Sequence, residues 1–150
     1  KFKIVTVPGQ VVHDSTRKAI LSRADGVVFV ADSQLTQGVN NAESFQNLEK
    51  NAARVGLDFE SLPLAIQFNK RDLTDIFDEE ELRERWGAAP WPLFFSSALQ
   101  GVGVAETFAG LLRTLYPQLD SAYQLSSQHG LTDETFVNGV MSSIESDHLI

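Results

Sequence analysis

Apolar residues fall in short runs that end on polar positions, and between these runs the apolar residues recur with a helical period. Phe2-Lys3-Ile4-Val5-Thr6-Val7 stops at Pro8-Gly9, and Gly26-Val27-Val28-Phe29-Val30-Ala31 stops at Asp32. Leu64-Ala65-Ile66-Gln67-Phe68 ends at Asn69, and Leu93-Phe94-Phe95 ends at Ser96-Ser97. Four strands are predicted, the first two reading as buried parallel strands. Helices are predicted over Ser15–Ser22, over Asn41–Val55 with Phe45, Leu48, Ala52 and Val55 on one face, and over Glu79–Trp86. Asp78, three residues before Glu81, has the spacing of a capping box. Val104–Tyr116 carries a stripe of Val104, Phe108, Leu111, Leu112 and Leu115 that reads as core packing, and Pro117 marks its stop. Alternating strand and helix predicts an α/β fold of three αβα layers around a mostly parallel sheet. In such folds ligands bind beyond the carboxyl ends of the strands.

The pattern divides the chain into residues 1–117 and an extension, 118–150. The extension contains Asp120, Asp133, Glu134, Glu145 and Asp147, no lysine or arginine, and much Ser and Gln. One amphipathic helix fits Leu131–Ile144 behind Thr132, using Phe136, Val137, Val140 and Ile144, with Gly139 as its weak point. A solvated or weakly docked tail is the favoured reading over a dedicated binding element.

Composition narrows the function. Twelve basic against twenty acidic side chains give a net charge of -8. The basic residues do not cluster, which speaks against nucleic acid as a partner. The sequence has no cysteine, so disulfides and cysteine-bound metal centres are excluded. The three histidines are scattered, the apolar runs are too short for an integral membrane segment, and the first residues lack a signal pattern. A cytoplasmic location is expected.

Chemistry is sought at the strand ends. Asn69-Lys70-Arg71-Asp72 directly follows an apolar strand, and the Asp72 carboxylate can accept two parallel hydrogen bonds from guanine N1–H and its exocyclic amine. Adenine offers no such pair. Asn69 is suited to the base edge or to bracing neighbouring loops, and the Lys70 stem can lie along the purine or ribose. Ser96-Ser97-Ala98 follows the next strand and would supply N–H and hydroxyl groups to the other side of a base. After the first strand, the Gly9 N–H can approach a terminal phosphate and the Gln10 amide can orient an attacking water.

These motifs, in this order, resemble the Ras-like small GTPases, and more closely their bacterial MglA branch. The resemblance rests on Thr6-Val7-Pro8-Gly9-Gln10, on Asp25-Gly26-Val27-Val28-Phe29-Val30-Ala31-Asp32-Ser33, and on Gln67-Phe68-Asn69-Lys70-Arg71-Asp72-Leu73. It covers about Phe2 to Tyr116. Thr6 and Pro8 match the MglA pattern where most small GTPases open the motif with aspartate, and Leu99 departs from the lysine common after Ser-Ala. The resemblance implies a small-GTPase fold that binds GTP or GDP with Mg2+ and hydrolyses GTP to GDP. It also implies a switch in cell polarity or motility and a Roadblock-type, MglB-like activating partner. By the same resemblance, Gly9, Asn69, Lys70, Asp72, Ser97 and Ala98 bind GTP and Gln10 is catalytic.

No Gly-x-x-x-x-Gly-Lys-Ser/Thr occurs in the sequence, so the loop that cradles phosphates and holds magnesium is missing from these 150 residues. In the resembling family that loop follows a strand lying between those matched by Phe2–Val7 and Gly26–Ala31. The expectation is an N-terminally truncated domain that does not hydrolyse GTP by itself. Its two first strands either stand two spacings apart or close up into a different sheet order. The segment from Gly9 to about Arg17 would be the retained switch. The competing readings are a non-catalytic scaffold that kept the fold, and a phosphoacceptor domain using Asp32. For the latter Asp32 lacks acidic companions, which leaves it an ordinary strand-end residue.

Overall fold

A computed structural model describes residues 1–7, 14–88 and 90–147. Its frame is an all-parallel sheet of three strands, β1 (Val27–Asp32), β2 (Leu64–Asn69) and β3 (Leu93–Phe95), in the order β1-β2-β3. Val27 stands opposite Leu64 and Asp32 opposite Asn69, while Phe68 stands opposite Phe95. The register therefore lines up the carboxyl ends of all three strands. Parallel neighbours need crossovers, and these are supplied by α2 (Gly38–Arg54) and α3 (Glu79–Trp86).

Strand periodicity separates two cores. Leu64, Ile66 and Phe68 point toward α2 and α3, where Phe29, Phe45, Trp86 and Trp91 join Ala52, Leu62 and Leu82. Ala65 and Gln67 point the other way, toward α4 (Val104–Tyr123), whose Leu111 and Leu115 pack on Ala65 with Val28, Phe94 and Leu119. Gln67 is polar inside this second layer because it is paired: its Nε2 donates to Thr107 Oγ1 at 3.0 Å, and that hydroxyl donates to the Gly103 carbonyl at 2.7 Å. Gly110 lets α4 approach the sheet, since a Cβ there would fall 2.1 Å from the Phe94 ring. The expected α/β architecture, helices on both faces of a parallel sheet, is present.

Three local expectations need correction. Residues 1–7 join no ladder and are exposed throughout, so the predicted strand Phe2–Val7 is absent, and it neither leaves a gap beside β1 nor closes onto it. Strand propensity needs a partner ladder to satisfy N–H and C=O groups. Instead the Phe2 ring lies 6.4 Å from Phe108 and 6.1 Å from Phe136, and Val30 on β1 is 55% exposed. Second, α4 does not stop at Pro117 but runs to Tyr123, because Leu119 anchors the added turn to the core and Gln124 N–H closes it on the Asp120 carbonyl. Third, Asp78 is the N-cap of α3, but its side chain makes no cap hydrogen bond.

Beyond α4 come α5 (Leu125–His129) and α6 (Asp133–Asp147). The α6 helix is docked on α4: Val137 is 1% exposed, the Phe136 ring meets Tyr116 at 5.9 Å, and the Tyr116 hydroxyl donates to the Leu131 carbonyl at 2.6 Å. Burial pushes the Tyr116 phenol up, with Asp120 and Asp133 adding to the effect. At the other end, α1 (Asp14–Leu21) is tied to α2 by Asp14, which accepts from Asn51 Nδ2 at 2.9 Å and pairs with Lys18 at 3.0 Å. These hydrogen bonds hold the Asp14 carboxyl below its usual range.

Candidate functional site

At the end of β2 the chain turns sharply: Lys70 adopts φ 69°, and Leu73 N–H donates to the Lys70 carbonyl at 3.1 Å. The turn is fastened to the segment after β3, where Arg71 N–H donates to the Ser96 carbonyl at 3.0 Å. Arg71 itself is committed to structure, reaching the Phe77 carbonyl at 2.7 Å and lying over the Phe95 ring. Gly103 secures the second segment. Its φ is +77°, and a Cβ there would sit 2.1 Å from the Phe95 carbonyl oxygen.

Between these fastenings the predicted base-binding residues come together. Asn69 Oδ1 accepts from Ala98 N–H at 2.9 Å and from Ser96 Oγ at 3.2 Å, leaving its Nδ2 without a partner among the described residues. Ser97 Oγ donates to Asp72 Oδ1 at 2.7 Å, which fixes the carboxylate while Oδ2 has no partner among the described residues. A cavity of about 480 Å3 opens beside them, lined by Gln34, Asn69, Lys70, Asp72, Leu73 and Leu99. Its lining sets Leu73 and Leu99 beside four polar or charged side chains, a mix that suits a small planar ligand with several hydrogen-bonding groups. Ser97 is buried behind Asp72, and the Ala98 N–H is taken up by Asn69. Both therefore act here as supports of the motif side chains.

Leu99, 87% exposed, puts an apolar side chain on the wall of this cavity. Sequence reasoning missed Asp32 and Gln34. Asp32 Oδ2 receives Lys70 Nζ at 2.7 Å, and Gln34 donates both its backbone N–H (3.0 Å) and its Nε2 (3.0 and 3.1 Å) to the same carboxylate. Burial would raise the Asp32 carboxyl, but the bonds from Lys70 and Gln34 outweigh it and hold the group below its ordinary value. The available signal was the alignment of two polar strand ends, which only a known strand order turns into a contact.

Gly9 and Gln10 lie outside the described residues, as does the proposed switch up to His13; its remainder, Asp14–Arg17, is the first half of α1. A second depression of about 350 Å3 lies between α1 and α2 and includes Arg17 and Lys50. Among the described residues no group of three or more His, Asp or Glu could hold a metal ion, and no helix is long and apolar enough to cross a membrane.

No family model matches the sequence. It is 42% identical over 119 residues to the mutual gliding-motility protein MglA of Myxococcus xanthus (strain DK1622), a match covering 79% of this chain and 61% of that protein. The chain thus spans less than two thirds of the length of that relative. Identity of this extent, on a parallel α/β frame whose strand ends gather Asn69, Lys70, Asp72 and Ser97, supports the MglA branch of the Ras-like small GTPases as the family of this chain.

Proposed function

We propose that the chain forms the guanine-reading half of a GTP-dependent switch of the gliding-motility type. The observation that carries this reading is the Asp72 carboxylate, oriented by Ser97 at 2.7 Å on the wall of a cavity it shares with Asn69 and Lys70. A carboxylate held in this way accepts from N1–H and the exocyclic amine of guanine together and has no matching donors on adenine. Asn69 Nδ2, without a partner among the described residues, is available to donate to an acceptor on the same base. The Lys70 stem and Leu99 supply apolar surface for the two faces of the ring.

The phosphates need other groups. The sequence holds no glycine-rich phosphate loop, and the described residues offer magnesium no cluster of ligands. Hydrolysis of GTP to GDP, with Gln10 orienting water, regulation of cell polarity or motility, and activation by a Roadblock-type partner belong to the proposal for the whole protein. A cytoplasmic location belongs there too.

The test is competitive binding of guanosine and xanthosine nucleotides to wild type and Asp72→Asn. Xanthine replaces the exocyclic amine with a carbonyl, which the carboxylate repels and to which an amide N–H donates. Preference should move from guanine toward xanthine, on the scale of about 1–3 kcal/mol for each unpaired buried polar group. Equal loss for both bases would make Asp72 a brace of the loop. Absence of any base preference in wild type would favour the non-catalytic scaffold.

A further inference from the structure

Asp32 ends β1 directly opposite Asn69, yet it does not line the cavity. Its backbone is clamped from α2: Asn41 Oδ1 accepts from Asp32 N–H at 3.1 Å and Asn41 Nδ2 donates to the Asp32 carbonyl at 2.8 Å. Its carboxylate is therefore presented from a fixed point on the sheet. Lys70 contrasts with it, having a long side chain on a residue whose φ of 69° is costly for anything but glycine. A side chain of this kind is normally free to sample many rotamers. Here its ammonium is held by Asp32 at 2.7 Å, Gln34 Nε2 donates to the same carboxylate, and both Lys70 and Gln34 line the cavity.

We propose that Asp32 is the positioning residue of the base site: by holding the Lys70 ammonium, with Gln34 as brace, it keeps the lysine's aliphatic stem rather than its charge against the purine. The proposal rests on the guanine reading. Its consequence is that the loss caused by removing Asp32 depends on the ammonium being present.

The experiment combines two readouts on the chain. The first is the side-chain ammonium NMR signal of Lys70 without nucleotide, compared between wild type, Asp32→Asn and Asp32→Glu. The second is GDP affinity, by chemical-shift titration, of the same proteins, Lys70→Met, and Asp32→Asn combined with Lys70→Met. The Lys70 signal should be sharp in wild type, exchange-broadened in Asp32→Asn and recovered in Asp32→Glu. Asp32→Asn should weaken GDP binding about tenfold, the scale of a lost charge-assisted hydrogen bond. Asp32→Glu should restore most of that affinity. The double variant should bind no more weakly than Lys70→Met alone. An unchanged Lys70 signal, or a full extra loss in the double variant, would overturn the role of Asp32. The guanine reading fails separately, by the base preference of Asp72→Asn, while the ammonium signal needs no nucleotide.

Discussion

Phe2–Val7 and Leu64–Asn69 are similar strings, each an apolar, β-favouring run leading to a polar turn that resembles a nucleotide-binding motif. In the folded chain they part company. Leu64–Asn69 is the central strand, paired in parallel on both sides, with five of its six residues buried. Residues 1–7 have no ladder partner and are exposed, touching the rest of the fold through Phe2. The difference teaches that a run of this kind becomes a strand through its neighbours' hydrogen bonds and side chains. A motif is positioned only as well as the strand that delivers it.

The comparison breaks most clearly in the core. Phe68→Ala removes a fully buried ring that meets Trp86 at 5.4 Å and Phe95 at 6.3 Å, and should cost about 3–5 kcal/mol in urea unfolding. A loss under about 1 kcal/mol would mean that β2 is no more central than residues 1–7. Thr107→Val strands the Gln67 amide inside the α4 layer. It should cost about 1–3 kcal/mol, and Gln67→Leu added to it should recover part of the loss. At the other region, Phe2→Ala should lower the unfolding free energy by about 1 kcal/mol or less, since an exposed aromatic contact is all that it removes.

The smallest expected effect is a pH dependence at the site. Asp32 is held below its ordinary value of 3.8, so the folded state binds its proton less readily than the unfolded state. The stabilisation is complete above the unfolded value and fades as pH falls through the lower folded value. Asp32→Asn should therefore flatten the stability profile only in the acid range, below about pH 4, and leave its slope at neutral pH unchanged. A flattening that appeared near neutrality instead would mean that the Asp32 carboxylate is not the titrating group.

Much of the site was legible because its parts are local. Asn69, Lys70 and Asp72 stand in one turn, and the turn follows a run too apolar to lie anywhere but in the sheet. Ser97 was legible by position, but its role was not. Sequence order put it after β3, whereas its hydrogen bond to Asp72 depends on β2 and β3 being adjacent. Asp32 was read as an ordinary strand end because nothing local distinguishes it: its partner Lys70 is 38 residues away. The apolar face of α6, with Phe136 and Val137, was legible from periodicity, but its docking partner was not, because Tyr116 and the rest of α4 meet it only in the folded chain.

By itself the sequence determined the alternation of strands and helices, the polar strand ends and the chemistry of the Asn69–Asp72 turn, since periodicity and side-chain type act over a few residues. Tertiary structure decided which run received a ladder, how far α4 continued past Pro117 and which carboxylate met Lys70. Those outcomes depend on pairing between distant segments: a backbone N–H or an ammonium is satisfied by whichever acceptor the packed sheet brings within reach.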